Sequence, residues 1–164
     1  MTLVVADSSP ISYLALIDAL HILPRLYTKV ILPHAVLQEL RHPHAPTPVQ
    51  RWVAELPEWV EVREGKLLPL ETMLGPGEAE AIALACELHA MVLLDERAGR
   101  SEAKRLGLQV AGTVGVLEKA AAERLLDLED AFRRLQSTNF RIDPSYVRQA
   151  LARDTARRNR PLSP

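Results

Sequence analysis

Short aliphatic runs alternate along this chain with longer segments of helical periodicity, and this alternation limits the possible fold more than any other sequence feature. The runs lie at residues 3–5, 29–32, 59–63, 91–94 and 108–110. In the segments between them, apolar residues recur with the three- and four-residue spacing of helices that pack on a sheet. Strands buried on both faces are typically continuous aliphatic runs. The sequence therefore predicts an α/β fold, a three-layer α/β/α sandwich with a mainly parallel central sheet.

Length and composition favour a single domain. The chain has 164 residues, of which 48% are hydrophobic and 25% charged, values typical of a folded protein with its own core. We expect one domain at residues 1–153, with its core at 3–120 and C-terminal helices at 127–153. Residues 154–164 are rich in Arg and Pro, which predicts a flexible tail. Residues 59–63 alternate apolar and polar side chains, which predicts an edge strand.

Charge and cysteine content exclude several classes of protein. A formal net charge of -1 argues against a strongly basic protein that coats nucleic acid, although a local basic rim is compatible with it. Cys86 is the only cysteine, which excludes an intrachain disulfide and a thiolate zinc cluster and favours a reducing compartment. No secretory signal pattern opens the sequence, and no segment approaches the roughly 18 apolar residues of a membrane span. We therefore expect a cytoplasmic protein that does not enter a membrane.

Acidic residues stand beside the predicted strands, where an open α/β sheet binds its ligands. Asp7 follows the first run, and Asp95 and Glu96 follow the fourth. Glu78 lies in the first turn of a helix that begins after a Gly-Pro-Gly break, and Glu39 lies beside the apolar stripe of another helix. Because ligands bind at the carboxyl ends of parallel strands, these side chains are candidates for one site.

The acids also have structural interpretations. Asp7 fits a turn residue or helix cap, and Glu78 complements a helix dipole. Glu39, beside a buried stripe, needs a partner or a metal ion. Carboxylates gathered at one edge raise one another's pKa values, and a divalent cation removes that repulsion. Oxygen ligands favour Mg²⁺ or Mn²⁺, so a metal-dependent hydrolase is our leading interpretation, with a phosphatase that uses Asp7 as nucleophile as an alternative.

Other α/β chemistries lack their sequence motifs. No glycine-rich dinucleotide or P-loop motif follows a predicted strand, and no Gly-x-Ser-x-Gly elbow occurs. After Asp7 the sequence predicts an abrupt turn, with Ser9 as the N-cap and Pro10 as the first residue of a helix. Glu80 is only two residues from Glu78, so it lies on a different side of its helix and is expected to be solvated or paired.

Several segments together resemble a PIN-domain ribonuclease, in particular a prokaryotic VapC-like subfamily. The segments are residues 4–11, 36–40, 75–85, 93–100, 106–108 and 112–117. The first of them contains the turn Asp-Ser-Ser-Pro, the third contains Gly-Pro-Gly-Glu, and the fourth contains Leu-Asp-Glu-Arg. The likeness covers about residues 3 to 120 and implies a PIN-like fold.

The resemblance also implies which residues do the chemistry. The catalytic acids, which would bind Mg²⁺ or Mn²⁺, are Asp7, Glu39, Glu78 and Asp95. Glu96 is a further metal ligand and the other candidate for the fourth acid, and Ser9 would support Asp7 or its bound water. Glu78 stands where many PIN domains have Asp, and its longer side chain shifts the carboxylate.

Function and partners follow from the same resemblance. It implies cleavage of RNA, often as the toxin of a toxin–antitoxin pair, with Arg97 and Arg100 guiding phosphates. It further implies a protein antitoxin and a homodimer, for which the helices around Leu14 and Leu40 are candidate interface material. The alternative is a PIN-fold regulatory module that binds RNA or a protein without cutting.

Overall fold

A computed structural model describes residues 2–71 and 73–161 of the chain. In this part of the chain, five strands form one all-parallel sheet with the order β3-β2-β1-β4-β5. The strands are β1 (Leu3–Ala6), β2 (Lys29–Pro33), β3 (Val60–Arg63), β4 (Met91–Leu93) and β5 (Val110–Ala111). The predicted α/β class is confirmed, and the sheet is wholly rather than mainly parallel.

Helices connect the strands. They are α1 (Ser8–Leu16), α2 (Leu23–Leu26), α3 (His34–Leu40), α4 (Thr47–Ala54), α5 (Pro76–Leu88), α6 (Arg97–Arg105) and α7 (Thr113–Ala122), with a 3-10 turn at Leu20–Ile22. The strand order runs in one direction from β1 to β3 and in the other from β4 to β5. Right-handed crossovers therefore place helices on opposite faces, and the switch between the two directions lies between β1 and β4.

The central strand is buried on both faces. Val5 pairs with Ile31 on one side and with Val92 on the other. These side chains share a core cluster with small residues of α5 such as Ala81. Val4 points to the opposite face and is also 0% exposed. Both faces of the sheet are thus covered, as a three-layer sandwich requires.

The edge strand lies where its sequence pattern indicates. β3 pairs with β2 alone and begins the order of the sheet. Its first two residues are half-buried, and its last two, Val62 and Arg63, are exposed. The alternating pattern of residues 59–63 therefore matches an edge position.

Contacts divide the chain into two compact units, of which the first ends at Thr113 and the second begins at Val114. The second unit contains most of α7, together with α8 (Leu128–Gln136) and α9 (Pro144–Arg158). Aspartates cap the last two helices: Asp127 Oδ1 accepts a hydrogen bond from the backbone N–H of Asp130 at 2.8 Å. Asp143 Oδ1 accepts one from Ser145 N–H at 2.7 Å. The single-domain assignment stays a prediction.

The last helix is longer than predicted. Residues 154–158 belong to α9, so the expectation of a flexible tail is wrong for them, while residues 162–164 lie outside the described residues. Asp154 is 1% exposed and binds the guanidinium of Arg158 one turn further along the helix. Arg157 lies 3.7 Å from the same carboxylate. These ion pairs stabilise the final turn of α9. The arginines that suggested a flexible tail therefore hold residues 154–158 in the helix.

None of the helices in the described residues is both long enough and apolar enough to cross a membrane.

Candidate functional site

Asp7 lies at the switch between β1 and β4. Its backbone N–H donates to Leu93 O at 3.1 Å, so the residue continues the sheet one step beyond β1. The side chain is 3% exposed, and Oδ1 is buried without a hydrogen-bond partner. Ordinarily such a carboxylate is hydrogen-bonded or paired, because an unsatisfied buried charge is unfavourable. Asp7 therefore has a buried carboxylate oxygen to which no group in the described residues donates a hydrogen bond.

The helix after Asp7 begins earlier than predicted. Asp7 itself is the N-cap of α1, with φ -77° and ψ 168°, and it makes no side-chain cap hydrogen bond. Ser9 and Pro10 are consequently the second and third helical residues, and the prediction of Ser9 as the cap is wrong. Pro10 fits there because the first four N–H groups of a helix have no partner within the helix.

The environment of Asp7 favours its neutral form. The pKa of Asp7 is raised from its ordinary 3.8 to about 7, and burial is the largest cause of this shift. The backbone N–H of Ser8 opposes this shift, while the negative charges of Glu78, Glu39 and Asp95 add to it. The structure thus brings four predicted acids close enough to interact at one end of the sheet. We call these four residues, Asp7, Glu39, Glu78 and Asp95, the acidic group.

Glu39 is held by two groups from other elements. Its Oε2 accepts a hydrogen bond from the Ser8 hydroxyl at 2.8 Å, and its Oε1 accepts one from Gly77 N–H at 3.2 Å. Glu39 is itself exposed, but it adjoins the buried Leu40 of its helix and has two partners, as predicted. The hydroxyl that contacts the acidic group is that of Ser8, and Ser9 lies one residue further along α1. Correct placement of the helix start would have identified Ser8.

Glu78 projects from the first turn of α5. Its Oε2 is buried and has no hydrogen-bond partner, like Oδ1 of Asp7. Burial raises the pKa of Glu78 above its ordinary value, and the negative charges of Glu96 and Glu39 raise it further. The two orphaned oxygens therefore belong to two carboxylates of the same acidic group.

The two candidates for the fourth acid, Asp95 and Glu96, both interact with other acids of the site, but their own contacts differ. Asp95 is half-buried, and its two oxygens accept hydrogen bonds from the N–H and the hydroxyl of Thr113, each at 2.7 Å. Glu96 is exposed and is the N-cap of α6. The negative charge of Asp95 raises the pKa of Asp7, whereas the negative charge of Glu96 raises the pKa of Glu78. The choice of the fourth acid therefore stays a prediction.

Sequence reasoning missed two residues of this region. Thr113 is 0% exposed and fixes Asp95, a long-range contact that no local pattern indicates. Tyr13 of α1 is half-buried, and burial, followed by the charges of Asp95 and Glu96, raises the pKa of its hydroxyl. Tyr13 therefore borders the acidic group.

The two predicted RNA-binding arginines differ in their contacts. Arg100 Nη1 donates to the backbone oxygen of Leu94 at 2.9 Å, so its guanidinium already supports the end of β4. Arg97 is exposed at the first position of α6. Of the two, Arg97 has the side chain more accessible to a phosphate.

Glu80 does not join the acidic group. It is 8% exposed, and its two oxygens accept hydrogen bonds from Ala35 N–H at 2.6 Å and Gly65 N–H at 2.9 Å. It thus satisfies a free N–H in the first turn of α3 and fixes the segment before α5. Of the two expectations for Glu80, the paired one is correct.

A cavity of about 400 Å³ lies apart from the acidic group and is lined by residues that include Asp18, His21, Arg51 and Trp52. Asp18 follows the C-terminal end of α1, whereas Asp7 caps its N-terminal end. A helix of this length separates its two ends by about 13 Å, so the cavity is separate from the acidic group.

The donor atoms of the acidic group suit a hard divalent cation. They are all carboxylate oxygens, two of them buried and unpartnered, and their mutual repulsion would be relieved by positive charge. Within residues 2–71 and 73–161, however, no three Asp, Glu, His or Cys side chains form a ready-made metal-binding group. Coordination by three of these acids would therefore require one or more of their side chains to move towards the ion.

Comparisons with known proteins identify one matching family. A family model described as PIN domain matches residues 3–155. No curated protein matches the sequence significantly. Among solved structures, the chain is similar to a PilT N-terminus domain protein from the hyperthermophilic archaeon Sulfolobus solfataricus P2, with 16% identity and a TM-score of 0.47. That likeness covers 87% of this chain and 100% of the other.

Proposed function

The chain belongs to the PIN-domain family, and on this premise we propose that it is a metal-dependent endoribonuclease that hydrolyses RNA phosphodiester bonds. PIN domains are generally nucleases and typically use divalent metals. The observation that supports the proposal most is that Oδ1 of Asp7 is buried without a hydrogen-bond partner. In addition, the negative charges of three further acids raise the pKa of Asp7. An enzyme that binds a cation at this position has a reason to keep such a carboxylate.

The metal ligands in this proposal are the acids that interact with Asp7. They are Asp7, Glu39, Glu78 and Asp95, with Glu96 as the alternative to Asp95. Ser8 orients Glu39 through its 2.8 Å hydrogen bond, and Thr113 fixes Asp95 through two bonds of 2.7 Å. Such supporting contacts orient ligands and raise metal affinity.

The chain's own residues then have distinct roles in hydrolysis. A bound Mg²⁺ or Mn²⁺ would stabilise negative charge on the phosphate and lower the pKa of an attacking water. Asp7, whose pKa is about 7 in the metal-free protein, would lose its proton as the cation binds. Arg97 would hold a neighbouring phosphate and so orient the RNA strand.

A second candidate function is favoured by one observation. Because the described acids do not form a ready-made group of three ligands, a PIN-fold module that binds RNA or a protein without cutting is consistent with the geometry. The two candidates differ in a simple measurement. The nuclease binds Mn²⁺ in the absence of RNA, whereas the regulatory module shows no divalent-ion binding at millimolar concentrations in a calorimetric titration.

Cleavage of a fluorescent single-stranded RNA in the presence of Mn²⁺ tests the proposal. We expect Asp7→Asn and Glu78→Gln to lower the rate at least about 100-fold, the upper range for contacts that only support a metal ligand. Glu87→Gln is the matched control, because Glu87 lies on the same helix as Glu78 and is exposed outside the acidic group. Equal rates for the wild type and Asp7→Asn would refute the assignment.

The finer parts of the proposal concern biological context. We propose a VapC-like toxin that acts on cytoplasmic RNA and is neutralised by a protein antitoxin. Expression of the wild type, but not of Asp7→Asn, should then arrest bacterial growth. A homodimer is proposed too, but Leu14 and Leu40 are only 0% and 2% exposed, so its interface would use other side chains. Light scattering after gel filtration gives the oligomeric state.

A further inference from the structure

Three glycines lie directly against three of the acids. A Cβ atom built on Gly77 would lie 2.5 Å from Glu39 Oε1, and one built on Gly99 would lie 2.6 Å from Glu78 Oε2. At Gly112, whose Cβ would also meet Arg100, the distance to an oxygen of Asp95 would be 2.9 Å. None of these three glycines has a positive φ. What excludes a side chain there is the neighbouring group, not the backbone conformation.

Gly99 gives the clearest case. It is buried at the third position of α6, inside a helix, where Gly is less favourable than Ala. Apart from the atoms of Glu78, the nearest neighbour of a Cβ at position 99 would be Leu94 Cδ1, at 3.6 Å, an ordinary van der Waals distance. An alanine at this position would therefore be accommodated if the Glu78 carboxylate were elsewhere.

Glu78 makes use of that space. Its carboxylate reaches from α5 to α6, and the oxygen nearest Gly99 is the one that is buried without a partner. An aspartate at position 78 would be shorter by one methylene and would end before reaching α6. The length of Glu78 and the missing side chain of Gly99 are thus complementary in size.

We propose that Gly99 is a positioning residue for Glu78, and that the two form a size-matched pair which directs the Glu78 carboxylate into the metal site. This inference rests on the proposed function for its consequence, metal binding, but the pairing itself is a property of the metal-free protein. Because the colliding atom is the end of a flexible side chain, Gly99→Ala should displace Glu78 rather than unfold the protein.

A double-mutant cycle tests the pair. The four proteins are the wild type, Gly99→Ala, Glu78→Asp and the double variant, and Mn²⁺ affinity is measured by calorimetry without RNA. We expect Gly99→Ala to weaken Mn²⁺ binding about 10-fold or more in the wild-type background and to have no further effect in the Glu78→Asp background. Gly75→Ala is the matched control, because its Cβ would lie 3.7 Å from Glu78 Oε1 without a collision, and its Mn²⁺ affinity should match that of the wild type.

Thermal unfolding in EDTA provides a readout that needs no metal. In the Glu78→Asp background, Gly99→Ala should raise the Tm by about 2–4 °C, the gain expected from replacing Gly by Ala in a helix. In the wild-type background the gain should be smaller or absent. Equal changes in Tm or equal losses of Mn²⁺ affinity in both backgrounds would overturn the inference. A wild type that binds no Mn²⁺ would instead refute the proposed function, and the Tm cycle would still decide on the pair.

Discussion

Replacing Asp7 by Asn should make the metal-free protein more stable at alkaline pH, the opposite of the usual effect of a mutation at a buried polar residue. Asp7 is 3% exposed, its Oδ1 has no partner, and its pKa is raised to about 7. Above that pH the folded wild type carries a buried charge that the variant lacks. A residue kept for stability alone would show no such penalty.

The size and direction of the effect follow from linkage. The pKa of Asp7 is about 7 in the folded protein and has the ordinary value of 3.8 in the unfolded chain. Between these values the folded state holds a proton that the unfolded state has lost, so the free energy of unfolding decreases as pH rises from about 4 to 7. At about 1.4 kcal/mol per pKa unit, the total loss is roughly 4 kcal/mol, of which roughly 3 kcal/mol falls between pH 5 and pH 8.

Urea unfolding in EDTA at pH 5 and pH 8 measures this effect. The quantity of interest is the free energy of unfolding of Asp7→Asn minus that of the wild type, because titrating groups that do not interact with Asp7 cancel in the difference. We expect this difference to increase by roughly 3 kcal/mol from pH 5 to pH 8. The exposed Asp18, replaced by Asn, controls for the chemical change. A difference that is the same at both pH values, or that decreases towards pH 8, would refute the reasoning.

Three further substitutions test, in turn, a contact that orients a metal ligand, a contact that stabilises the fold and a contact with RNA. Ser8→Ala should weaken Mn²⁺ binding about 10-fold by releasing Glu39, and a larger loss from Ser9→Ala in the same titration would contradict the role of the Ser8–Glu39 hydrogen bond. Glu80→Ala should lower the free energy of unfolding in urea by about 1–3 kcal/mol, because two backbone N–H groups lose their partner, while unchanged stability would count against that role. Arg97→Ala should weaken RNA binding and reduce the slope of log affinity against log salt by about 1, and an unchanged slope would remove Arg97 from the RNA contact.

The fold was largely predictable because its signals are local. Aliphatic runs and helical periodicity report burial on both faces of a strand and on one face of a helix. The half-exposed residues 59–63 likewise indicated the edge position of β3. The placement of Asp7 after β1 followed from the same pattern, since the carboxyl end of a central parallel strand is where a doubly wound sheet leaves space.

The details of the site were less predictable because they depend on packing between distant segments. Ser8 and Ser9 are chemically identical, and only the start of α1 decides which hydroxyl meets Glu39. Thr113 is 18 residues from the Asp95 that it binds, and Glu80 is 45 residues from Ala35. No periodicity links residues so far apart, so such contacts appear only in the folded structure.

The position of bound Mn²⁺ decides whether Asp7 is a metal ligand of an RNA-cleaving site. Crystals grown with Mn²⁺ would reveal the ion by its anomalous difference density. We predict a peak in which an oxygen of Asp7 coordinates the ion at about 2.0–2.6 Å, together with at least one further carboxylate of the acidic group. Crystals of RNA-cleaving protein in which the ion lies away from Asp7 would contradict this assignment.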